Sequence, residues 1–328
     1  MHKKQQSQTN ASSVAPLRFL WLEITGRCQL ECSHCYASSG PSGTHGTMTR
    51  VDWQRVIAEA SEAEVGMLQF IGGEPTLHPD LPDLVDYALT VGIEVEVFSN
   101  LVHVPTRLWE VFSRPGVQLA TSYYSDDSGE HAAITKRVTR DRTKENIAEA
   151  LRRSIPLRVG IIDLREGQRV EQARAELESL GVTSIGVDRL RQVGRGVRDQ
   201  QPSLDQLCGH CASGNLAIAT DGTVWPCVFT RWLPIGNIRD MSLTEIIDSP
   251  YASRVTGELR DFFGVHQAPC TPGMCTPKCG PKCSPDCAPS KCGPNPNCVP
   301  RYSCGPCHPK DRTCKPEQNC KPNQCRPR

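Results

Sequence analysis

Three features of the sequence predict an α/β protein built on a parallel sheet. Short β-prone runs alternate with amphipathic helical stretches between residues 18 and 195, giving six strands and five helices. Each strand is followed by a segment long enough to cross back over the sheet, which implies right-handed crossovers and strands running one way. Composition then changes near Pro269, where an ordinary globular mixture gives way to a tail rich in Cys and Pro. Six strands are too few to close an eight-stranded barrel, so the sheet is expected to stay open.

Taken in order, residues 1–17 are polar and are expected to be disordered. Arg18–Thr25 alternates and is rich in β-formers, so it reads as the first strand. Thr49–Ala63 has apolar residues at helical spacing, with Thr49 able to cap the helix, and Gly66–Ile71 reads as a buried strand ending in Gly72-Gly-Glu-Pro75. The alternation continues through a helix near Asp80–Val91, strand Ile93–Phe98, a helix near Thr106–Phe112 and strand Val117–Tyr123. It ends with helix Thr143–Arg153, strand Leu157–Ile162, helix Gln168–Leu180 and strand Ser184–Arg189. Farther on, Asp221-Gly222 between two β-prone runs signals a hairpin, and Leu233–Ile247 reads as a turn leading into a short amphipathic helix.

A parallel sheet places functional groups at the carboxyl ends of its strands. The loop after the first strand carries Cys28, Cys32 and Cys35 in the spacing C-x3-C-x2-C. Three thiolates can hold three corners of an iron–sulfur cube and leave the fourth iron open to a small molecule. A structural zinc site, with His34 as a further ligand, or a redox dithiol are the alternatives. On the same rim stand Gly72–Pro75, Ser99-Asn100 and Tyr123–Asp127. A second cluster pairs Cys208-Gly-His-Cys211 with Cys227, which the hairpin returns towards Cys211; a zinc knuckle including His210 is the alternative there.

The formal net charge of +1 hides an asymmetry. Residues 270–328 hold ten Lys and Arg against three Asp and Glu, a net +7, which leaves −6 on residues 1–269. Those 59 residues also hold 12 of the 18 Cys and 13 of the 26 Pro, in an approximate C-x-P-x repeat. Without metal such a tail is expected to be extended, and it reads equally as a metal-binding arm, a docking segment or a redox-sensitive tether. So many cysteines suggest a secreted disulfide scaffold, but the start of the chain opposes export. The apolar run Phe19–Leu22 is too short for a signal-peptide core and meets Glu23. No stretch approaches a membrane span. A cytoplasmic protein using cysteine for metal, with neither membrane nor nucleic-acid partners, is expected.

A strand leading into C-x3-C-x2-C and then an aromatic, Tyr36, resembles the radical S-adenosylmethionine (SAM) superfamily. The resemblance implies a (β/α)6 partial TIM barrel and a 4Fe-4S cluster on Cys28, Cys32 and Cys35, with SAM chelating the open iron. Reduction would break SAM into methionine and a 5′-deoxyadenosyl radical that abstracts hydrogen from substrate. By the same resemblance Gly72, Gly73 and Glu74 hold the SAM amino group, while Ser99 and Asn100 contact its ribose or carboxylate. Tyr36, Ser122 and Asp126 are further candidates. Arg191 or Arg195, in an R-x-x-x-x-G-R-G exit similar to that of related enzymes, would bind an anionic group.

The C-x2-C, hairpin and Cys227 arrangement resembles the SPASM or shorter twitch extension of such enzymes, which implies one or two auxiliary 4Fe-4S clusters on Cys208, Cys211 and Cys227. The downstream spacing departs from the family pattern, and Cys270, Cys275 and Cys279 are candidates to complete the ligand set. The expected division is a core at 18–195, an auxiliary domain at 196–269 and the tail at 270–328. The resemblance favours maturation of a ribosomally made peptide. The alternatives are tailoring of a small molecule such as a sugar or nucleoside, and, from another class, a non-catalytic metal-binding or interaction protein. A flavodoxin or ferredoxin would supply electrons. Since no peptide-recognition domain precedes Arg18, a separate recognition protein is expected.

Overall fold

Strand β1 (Phe19–Thr25) is followed by α1 (Arg50–Glu62), β2 (Met67–Gly72), α2 (Leu81–Thr90), β3 (Glu94–Phe98), α3 (Thr106–Phe112) and β4 (Val117–Tyr123). Next come α4 (Ser128–Thr135), α5 (Arg140–Arg152), β5 (Leu157–Asp163), α6 (Val170–Ser179) and β6 (Ser184–Arg189). The chain then adds β7 (Asn215–Ile218), β8 (Thr223–Trp225), β9 (Gly236–Asn237), α7 (Leu243–Ile247) and α8 (Pro250–Phe263). The structure, a computed structural model, describes residues 16–211 and 213–264. Of residues 1–17, expected to be disordered, 1–15 lie outside the described residues, as do all expectations for the tail, including Cys270, Cys275 and Cys279; Leu17, by contrast, is buried against the core, where an apolar side chain gains from packing.

The strands form one nine-stranded sheet in the order β6-β5-β4-β3-β2-β1-β7-β8-β9. β1 to β6 are all parallel, and β7 pairs in parallel with the free edge of β1, so β6 does not return to close a ring. The α/β class and the open parallel core follow the sequence reading, and the six core strands lie within one residue of their expected limits. The Asp221-Gly222 hairpin is present, with β7 and β8 antiparallel and Gly222 at φ +86°.

Packing accounts for the differences. β1 is buried at all seven positions, beyond its apparent alternation, because it is an interior strand of a parallel sheet covered on both faces and its polar Glu23 is paired. The connection from β4 to β5 carries two helices where one was expected. In α4 the apolar residues do not gather on one face and Gly129 sits in the first turn, so no hydrophobic stripe announces the helix. What starts it is Asp127, whose side chain accepts a hydrogen bond from Glu130 N. Helix α8 and strand β9 were also not anticipated.

Helix α1 shows how local sequence and core agree. Thr49 and Asp52 form a reciprocal capping box, and Trp53, Val56, Ile57 and Ala60 bury one face. One hydrophobic core runs from Leu17 to Leu259 and takes in both the parallel strands and the hairpin. Polar ties reinforce the join: Arg55 Nη2 donates to Ile238 O at 2.7 Å, and Leu243 N donates to Glu59 Oε2 at 2.7 Å. Among the described residues no helix is long and apolar enough to cross a membrane.

Candidate cluster and cofactor site

The loop after β1 has no regular structure of its own, so its backbone groups must be satisfied by neighbours. Glu31 N and Ser33 N donate to Thr135 O and Ile134 O at the end of α4. Cys28 N donates to Gly40 O, while Cys35 N turns back to Cys32 O. From beyond β6, Arg195 N donates to Cys35 O, Arg195 Nε to Cys32 O at 2.9 Å and Arg195 Nη2 to Ser39 O at 2.6 Å. The three cysteines are thereby held with Cys28, Cys32 and Cys35 all lining one cavity.

The Gly72-Gly-Glu-Pro75 loop packs against the start of the cysteine loop. Gly73 N donates to Thr25 O at 2.6 Å and Glu74 N to Arg27 O at 2.8 Å. A Cβ on Gly73 would lie 2.3 Å from Arg27 O, and one on Gly72, at φ +144°, would lie 2.2 Å from Thr25 O. Both glycines line the cavity, but their lack of a side chain is demanded by the neighbouring backbone rather than by a ligand.

Glu74 and Ser99 lie behind the cavity wall. The Glu74 carboxylate is fully buried and accepts from Thr76 N, Thr76 Oγ1 and Ser99 Oγ, at 2.8–3.1 Å, and from Asn100 N at 2.7 Å. Burial pushes its pKa up against these hydrogen bonds. Both carboxylate oxygens are committed and the Glu74 N–H is given to Arg27 O, so Glu74 ties β2 to the end of β3 and to the start of the cysteine loop. Asn100 does line the cavity; its Nδ2 reaches Cys28 Sγ at 3.7 Å, and Leu30 N donates to the same sulfur at 3.4 Å.

Of the remaining candidates, Tyr36 and Ser122 line the cavity. Tyr36 meets Phe229 edge-on at 5.2 Å and lies 5.8 Å from the Arg231 guanidinium. Asp126 does not join the site; it pairs bidentately with Arg169 on the outer surface. Arg191 lines the cavity, but its guanidinium donates to Gln206 O and Asp188 Oδ1, both at 2.7 Å.

The second cysteine cluster faces the same space. Cys208 and Cys227 line the cavity, with Cys211 buried behind them and interacting with both thiols. None of the six described cysteines is in a disulfide.

Sequence reasoning passed over several cavity groups. Trp21, Gln69, Phe98 and Arg158 form its inner wall. Below them the fully buried Glu96 holds Arg158 through two 2.7 Å hydrogen bonds. The available signal was a charged residue inside each of two strands, Glu96 in β3 and Arg158 in β5. Arg231 pairs with Glu23 at 2.7 and 3.1 Å and sits 4.6 Å from the Trp225 ring.

The donor chemistry fits iron–sulfur clusters. Burial, aided by nearby Glu74 and the other thiols, pushes Cys28 up to about 12, and burial with Cys35 does the same to Cys32. Such thiols lose their protons readily only to a bound cation. A structural zinc ion wants four ligands closed round one metal. A cube places each cysteine on a different iron and so accepts more widely spaced sulfurs.

Comparison with known proteins agrees with this geometry. Residues 22–180 match the radical SAM superfamily, and residues 208–287 match an iron–sulfur cluster-binding domain, SPASM. These families imply 4Fe-4S clusters and SAM as cofactors. A PqqA peptide cyclase of Xanthomonas campestris is 28% identical over 204 residues, covering 60% of this chain and 54% of that protein. The mycofactocin maturase MftC of Mycobacterium tuberculosis is 29% identical over 199 residues, 58% and 50% of the two chains. The chain thus spans about half the length of the curated relatives it matches. SuiB of Streptococcus suis, solved with SAM, shares the fold with a TM-score of 0.63 at 15% identity, over 74% of this chain and 68% of that one.

Proposed function

On the premise that this chain carries a radical SAM domain followed by an iron–sulfur cluster-binding domain, we propose that it is an enzyme that matures a ribosomally made peptide by hydrogen abstraction. The observation that carries the reading is the convergence of Cys28, Cys32 and Cys35 with Cys208 and Cys227 on one cavity. Support for a peptide substrate comes from relatives named for peptide chemistry, PqqA peptide cyclase among them, and from SuiB, which has been solved with its precursor peptide SuiA.

In this reading Cys28, Cys32 and Cys35 hold the SAM-binding cluster, and Cys208, Cys211 and Cys227 hold an auxiliary one. The match to residues 208–287 passes the expected domain limit at 269, which keeps Cys270, Cys275 and Cys279 as candidate ligands. When bound, the first cluster and SAM supply one-electron cleavage of SAM to a 5′-deoxyadenosyl radical. The chain's own residues orient and exclude. Leu30 N and Asn100 Nδ2 donate to Cys28 Sγ and draw charge off that ligand. The Gly72-Gly73 turn and the Asn100 side chain face the SAM site, while Trp21, Phe98 and Phe229 keep water from the reacting centre. Arg158, neutralised by Glu96, presents N–H groups on the inner wall to a polar substrate group. A flavodoxin- or ferredoxin-type donor, a separate peptide-recognition protein and a cytoplasmic location complete the proposal.

Anaerobic reconstitution, dithionite reduction and assay of 5′-deoxyadenosine test it. Wild type should form the product, and Cys32→Ala should abolish it, because two thiolates do not keep the site-differentiated cube. Iron binding without SAM cleavage in wild type would point instead to a non-catalytic metal protein.

A further inference from the structure

Two arginines of the loop leaving β6, Arg191 and Arg195, reach opposite ways. Arg195 braces the first cysteine loop through Cys32 O and Ser39 O. Gly194, at φ +60°, lets the loop lie directly on that segment, since a Cβ there would sit 2.2 Å from Tyr36 O. Arg191 turns to the other cysteines. It is 6% exposed, it donates to Gln206 O two residues before Cys208, and its guanidinium lies 5.9 Å from the ring of Phe229, two residues after Cys227. Its acidic partner Asp188, the last but one residue of β6, is bonded at 2.7 Å, and both line the cavity with Cys208 and Cys227.

We propose that this one loop serves both cysteine sites, with Arg195 positioning the first cysteine loop and Arg191, balanced by Asp188, setting the reduction potential of the auxiliary cluster. The inference rests on the two-cluster reading above and moves Arg191 from SAM to the auxiliary site. Burial opposes the Arg191 charge, while Asp188 and then the Cys208 and Cys227 sulfurs favour it, which places the cation within electrostatic reach of both cysteines. Reduction adds negative charge to a cluster, so a buried cation nearby favours the reduced form, and an adjacent carboxylate opposes it. Buried charges are screened little by salt. Removing each member of the pair should therefore move the potential in opposite directions, whereas a merely structural disturbance has no reason to reverse sign.

The test is a dithionite titration of the full chain, reconstituted anaerobically, with EPR following each cluster and iron and sulfide counted in parallel. Arg191→Gln should shift the auxiliary reduction equilibrium about tenfold towards the oxidised form, or 59 mV for a one-electron couple. Asp188→Asn should shift it the other way, Arg191→Lys should restore it, and the first cluster should not move in any of the three. Arg195→Gln should lower iron retention at the first site, with Arg195→Lys partly restoring it and the auxiliary potential unchanged. Shifts of the same sign in Arg191→Gln and Asp188→Asn, or no shift in either, overturn the proposal. If Arg191→Gln fails to assemble, Asp188→Asn carries the test against wild type: a shift towards the oxidised form, or none, overturns the proposal. A wild type lacking the first cluster defeats the parent reading before any variant is made; two normal clusters with unmoved variants defeat this inference alone.

Discussion

Gly73→Ala is the sharpest probe of how the second loop supports the first. Its added Cβ would stand 2.3 Å from Arg27 O and 2.6 Å from Arg27 C, both backbone atoms that no rotamer change can move aside. Ordinary carbon contacts lie near 3.5 Å, so the two loops must separate by about 1 Å. That separation strains the bonds from Gly73 N to Thr25 O and from Glu74 N to Arg27 O, immediately before Cys28. Overpacking of this kind costs about 1–3 kcal/mol, which the fold should survive. Misplacing reacting groups by 1 Å is worth on the order of 100-fold in rate. We therefore expect a folded protein with near-normal iron whose 5′-deoxyadenosine formation falls roughly 100-fold. The matched control is Gly257→Ala in α8, where no atom lies within 4 Å of the added Cβ; helix propensity should stabilise it by roughly 0.5–1 kcal/mol, with activity unchanged. A Gly73→Ala rate within about threefold of wild type at equal iron, well short of the 100-fold loss, would falsify the positioning argument.

Two further outcomes follow from buried charge. Arg231→Met leaves Glu23 buried without its cation, and breaking such a pair costs about 3 kcal/mol, or a fall of about 10 °C in Tm; a change of under about 2 °C contradicts the buried bridge. Burial holds the His131 ring, set against Tyr123 and Tyr124, down to about 4 from its ordinary 6.5. The unfolded chain then takes up the proton first, so this contribution to stability is complete above pH 6.5 and is lost as pH falls through 6.5 towards 4. His131→Phe should flatten part of that slope in melts at pH 7.5 and 5.5, His78 retaining its share. Equal slopes in the two proteins count against the assignment.

Strand and helix order was legible in the sequence because period and punctuation are local. Phe19–Thr25 is β-prone whatever surrounds it, Thr49 and Asp52 cap a helix three residues apart, and Asp221-Gly222 turns a hairpin. The three-cysteine spacing likewise fixes a donor set within one short loop. Helix α4 escaped because its only marks are the Asp127 cap and the left-handed stop at Lys136, with no apolar stripe between. Yet its last carbonyls hold Glu31 and Ser33 of the cysteine loop.

Tertiary structure decided what each candidate does. Glu74 is polar, and only packing shows its carboxylate bonded to Thr76, Ser99 and Asn100. Asp126 and Asp188 look equally available in the chain, but one faces Arg169 outside and the other Arg191 beside the cavity. Pairings such as Glu23 with Arg231, 208 residues apart, leave no local trace, because they depend on β7 adding to the edge of β1. Sequence alone settled which cysteines stand together in each loop and in what order the core strands follow one another along the chain. Which charges neutralise one another, and therefore which face the cavity, was set by long-range packing.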